Sequence, residues 1–181
     1  MKEFIKDIIK DIIIALVIVI LITVIIKPTI VKESSMEPTL YENNYLFVNK
    51  LAYITKDHPD YGDIIVFKSQ IDNNDHSGKK LLIKRVIGVE GDRIEVHGYD
   101  VYRNGKLLSE SYTNSITDAE RDANSNFEMS CTVPSNQLFV MGDNRVVSLD
   151  SRSESVGFVD EDSVLGKSFI RLYPFSKIKL L

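Results

Sequence analysis

The 181-residue chain has a single cysteine, Cys131, no tryptophan, and only three histidines. One cysteine excludes an intramolecular disulfide. His58, His76 and His97 lie far apart and show no metal-ligand spacing such as HExxH, so they read as surface or loop residues, and a His-centred metal site or Ser-His-Asp arrangement finds no support. Positive charge is also in short supply: 22 Lys and Arg stand against 26 Asp and Glu, for a net charge of −4, and no basic stripe appears. This balance speaks against a nucleic-acid binder. Amphipathic helical patterning is scarce after residue 32, and no internal repeat or low-complexity tract is present.

A long hydrophobic run is present. Ile12 to Ile26 reads IIIALVIVILITVII without a charge. With the neighbouring Ile8, Ile9 and Thr29-Ile30-Val31 it reaches roughly the ~20 residues of a membrane span. Lys10 and Lys27 extend it if their ammonium groups reach the headgroups. A buried helix of a soluble domain is the competing reading, and the absence of any polar face in the run speaks against it. KPTIVKESS follows it without a small-x-small site, so the segment reads as an uncleaved anchor rather than a removable signal peptide. Lys2, Lys6 and Lys10 in front favour a cytoplasmic N-terminus, with the rest of the chain outside the cytoplasm.

Beyond the anchor, short β-branched and aromatic runs alternate with Gly, Asn, Asp and Pro. Strands are expected at Tyr45–Val48, Asp63–Lys68, Leu81–Val89, Arg93–Val96, Val101–Arg103, Gln137–Met141 and Ser168–Leu172. Asn104-Gly105 supplies a two-residue hairpin turn. The pattern predicts a mainly β domain of coiled, partly closed sheets. Residues 106–135 are polar and weakly periodic and read as part of an accessory insertion. The expected organisation is a tail at 1–11, an anchor at 12–31, a catalytic β domain at 32–92 and 136–181, and an insertion at 93–135.

Three stretches carry candidate chemistry. In LLIKRVIG, Leu82, Lys84 and Val86 alternate with Ile83, Arg85 and Ile87, so both strand faces are apolar and each carries a cation. Arg85 stays charged and needs a carboxylate. Burial can lower the Lys84 pKa and make its amine a base, unless Lys84 lies on an edge strand with its head in water. A neutral lysine amine can accept the proton of a serine hydroxyl without any histidine. Ser35 precedes Met36-Glu37-Pro38, where proline restricts the backbone and biases Glu37 to an extended shape. In GDNRVVSLDSR, Asp143 and Asp150 can neutralise Arg85 or Arg152, and Ser148 can hold the lysine amine.

Together these stretches resemble the bacterial type I signal peptidases. The family pattern is an anchor, S-M-x-P-T-L, G-D-x-x-x-F, K-R-x-x-G-x-x-G-D and G-D-N-R-x-x-S-x-D-S-R followed by Gly. Here it matches Ser35–Leu40, Gly62–Phe67, Lys84–Asp92, and Gly142–Arg152 with Gly157. The resemblance implies Ser35 as nucleophile, Lys84 as general base and Ser148 as the serine orienting it. It also implies Asp143–Arg85 and Asp150–Arg152 as ion pairs, and the Ser35 N–H as an oxyanion donor. The implied substrates are secretory preproteins emerging from the translocation machinery at a phospholipid bilayer, cleaved after Ala-x-Ala. Such a peptide adds as a strand over pockets for which Met36, Leu40, Leu82 and Ile83 are the candidates. No metal or cofactor is expected, and the implied location is the plasma membrane.

Glu33 departs from the pattern, since some family members carry serine there and many others glycine. Glu90 and Val146-Val147 also depart, but no catalytic group is lost. Self-cleaving repressors share the Ser-Lys pair but lack the anchor. A silent, signal-peptidase-like adaptor would lack the serine or the lysine, and this chain has both.

Overall fold

The structure is a computed structural model that describes residues 2–54, 58–73 and 78–181. His76 lies outside the described residues. Helix α1 (Lys2–Ile25) leads. Its segment Phe4–Ile25 has a mean hydropathy of 3.0, and its side chains are not buried against the rest of the chain. At about 1.5 Å per residue it is long enough to cross the ~30 Å of a bilayer core. The helix stops earlier than the sequence suggests. Ile26–Ile30, counted in the anchor, instead forms strand β1 and pairs antiparallel with β2 (Tyr45–Asn49). Pro28 ends the helical pattern because it lacks an N–H and disfavours the helical region for Lys27.

The remaining elements are strands β3 (Ile64–Asp72), β4 (Lys79–Gly88), β5 (Arg93–His97), β6 (Asp100–Arg103) and β7 (Lys106–Leu107), helix α2 (Asp118–Ala123), then β8 (Glu128–Thr132), β9 (Gln137–Met141), β10 (Val159–Asp160), β11 (Val164–Tyr173) and β12 (Lys179–Leu180). The domain is mainly β, as the sequence predicts. The strands form two open sheets rather than the partly closed ones expected. One runs β1-β2-β11-β3-β4-β9-β10 with β12 beside β11, and the other runs β7-β6-β5-β8.

The two buried faces read in LLIKRVIG have a direct cause. Leu82 and Val86 of β4, with Leu138 and Val140 of β9, enter one core beside Ile65 and Phe67. Ile87 of β4 and Phe139 and Met141 of β9 enter a second core with Ile94, Val96 and Val101 of the smaller sheet. Strands β4 and β9 are thus shared walls, and alternate side chains serve opposite cores. A third core of Val31, Met36, Leu40, Leu46 and Ile64 seats the segment after β1.

The 106–135 region holds more order than its composition suggests. Thr117 caps α2 with a reciprocal Thr117–Glu120 capping box, and Glu128–Thr132 pairs in full register with β5. Its Glu-Met-Ser-Cys-Thr alternates polar and apolar residues, with Met129 and Cys131 packing against the second core.

Candidate active site

Ser35 sits in a one-turn 3₁₀ segment, Ser34–Met36, that leads out of β1. Glu37 follows in the extended conformation that Pro38 demands, and the Leu40 N–H donates to the Met36 carbonyl at 2.8 Å. Met36 and Leu40 turn into the third core and anchor this short bend. The Asn144 N–H donates to the Ser35 carbonyl at 3.0 Å, and the Asn144 amide reaches the Ser34 carbonyl. The serine is therefore clamped from the 142–152 loop, a role for Asn144 that GDNR did not disclose.

Lys84 lies on β4 between β3 and β9, with Ile65 opposite it on β3. Pairing with β9 begins only at Arg85, yet just 1% of Lys84 is exposed, so its head is not in water. Its Nζ donates to Ser35 Oγ at 2.6 Å. Burial pushes the amine down from 10.5 to about 8. The Asp150 and Glu33 carboxylates oppose that shift, whereas Lys80 and Arg152 add to it. At pH 7 roughly one amine in ten is then neutral, against about one in 3,000 for a free lysine.

The carboxylates expected to serve the arginines do so. Arg85 forks onto Asp143, with Nε and Nη2 donating at 2.8 and 2.7 Å, and its Nη1 donates to the Gly62 carbonyl. Register explains the meeting: Arg85 pairs with Met141, so Asp143 lies just past the end of β9. Burial would lower the Arg85 pKa, but the Asp143 contact outweighs it and the pKa rises. Arg152 forks onto Asp150 at 2.8 and 2.9 Å and also donates to the Arg145 carbonyl. Burial would raise Asp150, but the Arg152 fork and the Gly142 N–H hold it below the ordinary carboxylate range.

Two expectations are corrected. The Ser148 hydroxyl makes no hydrogen bond to Lys84. It is buried near Asp150 and Gly142, close enough to favour the ionised carboxylate but outside the geometry of a formed bond. The loop turns Ser148 toward Gly142 because the Ser148 N–H is tied to the Asn144 carbonyl. Leu40 does not line a pocket. It is 0% exposed and packs with Leu46 and Ile64.

Met36, Leu82 and Ile83 do line a groove of about 540 Å³ that also contains Ser35. One wall is β1 and the following residues through Glu33, and the other is β4 from Lys80 to Ile83. Both walls have an open edge among the described residues: β1 ends its sheet, and β4 meets β9 only from Arg85 onward.

Sequence reasoning missed the support from the accessory region. Arg145 is buried and forks onto Glu110, with Nη1 donating at 2.6 Å and Nη2 donating to the other carboxylate oxygen. The Tyr112 ring lies 4.0 Å from the Arg85 guanidinium carbon. Glu110 and Tyr112 belong to a polar stretch whose value is visible only once it folds over the arginines. The two described histidines lie elsewhere: His58 pairs with Glu161 and His97 with Glu128.

Residues 4–173 match the family model described as signal peptidase, peptidase S26. A probable signal peptidase I-2 from Synechocystis is 36% identical over 151 residues, covering 83% of this chain but 65% of that protein. Signal peptidase IB from Staphylococcus aureus strain Mu50 is 34% identical over 165 residues, covering 85% of this chain and 81% of that one. A crystal structure of a signal peptidase I from Enterococcus faecalis V583 is 34% identical, with a TM-score of 0.46, over 60% of this chain and 95% of that chain. The match over nearly the whole chain shows that the chain belongs to the signal peptidase S26 family.

Proposed function

We propose that this protein is a membrane-anchored serine endopeptidase that removes N-terminal signal peptides from secretory preproteins. The observation that carries the reading is the buried 2.6 Å contact between Lys84 Nζ and Ser35 Oγ. In the neutral state the amine takes the hydroxyl proton as Ser35 Oγ attacks the scissile carbonyl carbon. The Ser35 N–H stabilises the oxyanion. Lys84 passes the proton to the leaving amine as the C–N bond breaks, and an acyl-serine remains. Water then attacks the ester, with Lys84 accepting its proton and returning it to Ser35.

The substrate enters as an extended strand between the open edges of β1 and β4, as in other edge-recognition modes. Met36, Leu82 and Ile83 form an apolar floor suited to small side chains, which supports cleavage after Ala-x-Ala. Helix α1 holds the groove beside the bilayer, where signal peptides emerge from the translocation machinery. The lysines before the span favour a cytoplasmic N-terminus, with the β domain outside the cytoplasm.

The test uses the full chain in detergent, because β1 lies directly after the helix and a cut at residue 32 would remove it. A peptide carrying Ala-x-Ala is expected to be cut by the wild type and spared by Ser35→Ala and Lys84→Ala. Undiminished cleavage by either variant, or an inactive wild type, refutes the reading.

A further inference from the structure

Glu33 and Lys80 are not part of the catalytic contact, yet they meet at the groove. Lys80 Nζ forms an ion pair with a Glu33 carboxylate oxygen. The two residues come from opposite walls: Glu33 follows β1, two positions before Ser35, and Lys80 stands on β4, four positions before Lys84. Lys80, Leu82 and Lys84 share one face of β4, so the ammonium rises on the side where the serine sits. A slot that admits one strand between two others is about 10 Å wide, and a lysine and a glutamate together have the reach to meet across it. The side chains are 38% and 42% exposed, so the pair lies at the mouth rather than in the floor.

We propose that the Glu33–Lys80 ion pair is a strap across the substrate groove, which an incoming peptide strand has to part before it can reach Ser35. The inference rests on the proposed use of the groove for peptide. A half-exposed ion pair is weak enough to open on binding, and salt screens it. The strap also sets the field at the reacting amine. The charged groups facing Lys84 are Asp150, Glu33, Lys80 and Arg152, and the two members of the strap act on it with opposite signs.

The experiment measures steady-state cleavage of a neutral Ala-x-Ala peptide by full-length wild type, Glu33→Ala, Lys80→Met and the double variant in detergent. Alanine is used at 33 because a glutamine amide would add a donor close to Ser35. KM is expected to fall roughly fivefold in each single variant, the weight of one such pair. The double variant should show the same fall, since either change already frees the strap. Raising salt should lower the wild-type KM and leave the variants' KM flat. The acid limb of kcat/KM should move down in Glu33→Ala and up in Lys80→Met. A rise in KM in both single variants, or additive falls in the double, overturns the strap and assigns the pair to buttressing the wall. Loss of the whole peptidase reading would instead appear as a wild type that does not cut.

Discussion

Lys84→Met is expected to abolish cleavage and at the same time stabilise the protein near neutral pH. The folded-state pKa of Lys84 is about 8, below its ordinary value of 10.5. Between those two values the unfolded chain binds more protons, so stability rises with pH across that window. Below about pH 8 the full cost of keeping the buried amine charged is present. The difference of 10.5 and about 8, at 1.36 kcal/mol per pH unit, makes that cost about 3 kcal/mol. Methionine has a similar shape and no charge, but it forfeits the hydrogen bond to Ser35 Oγ, worth roughly 1 kcal/mol. The variant should therefore be more stable by about 2 kcal/mol at pH 7, or roughly 4–8 °C in Tm for a domain of this size. Near pH 11 the wild-type amine is neutral and keeps its bond, so the order should reverse by about 1 kcal/mol. Thermal melts of both full-length proteins in detergent, followed by far-UV circular dichroism at about pH 7 and 11, measure the two differences in parallel. The kcat/KM of the wild type should climb over the same range, with its acid limb near 8. A stability difference that stays constant with pH, or a variant less stable at pH 7, refutes the account of Lys84 as a strained, proton-losing amine.

Two further outcomes test the frame around the dyad. Gly142→Ala would place a Cβ into the Ser148 hydroxyl and the Ser35 carbonyl oxygen, so Ser35 has to shift. A loss of about 100-fold in kcat is expected, with a Tm penalty from overpacking, and wild-type activity in that variant would contradict the packing. Glu110→Ala leaves the Arg145 guanidinium, 2% exposed in its side chain, without its carboxylate. Denaturant unfolding should show a cost of about 3 kcal/mol, largely recovered in Glu110→Ala/Arg145→Met, because the uncompensated buried charge then disappears too.

What the sequence determined by itself was local or periodic. The apolar run before Lys27 has no polar face, and it forms a helix long and apolar enough to cross a membrane. The alternation in LLIKRVIG required burial on both sides, and β4 carries it because it walls two cores. The ordered boxes around Ser35, Lys84 and Asp143 to Arg152 carried the family resemblance, and the buried cations among them called for partners. Tertiary structure decided what depends on register and on partners distant in the chain. It turned Ile26–Ile30 from anchor into strand, because β2 offered a paired edge. It sent Leu40 into a core, left the Ser148 hydroxyl facing Gly142, and brought Glu110 and Tyr112 from a polar segment onto Arg145 and Arg85. It also joined Glu33 to Lys80 across the groove. A carboxylate and a cation far apart in sequence carry no mark of each other. Only the sheet order brings them together, because hydrogen-bonded register sets side-chain neighbours across strands that the chain itself does not link.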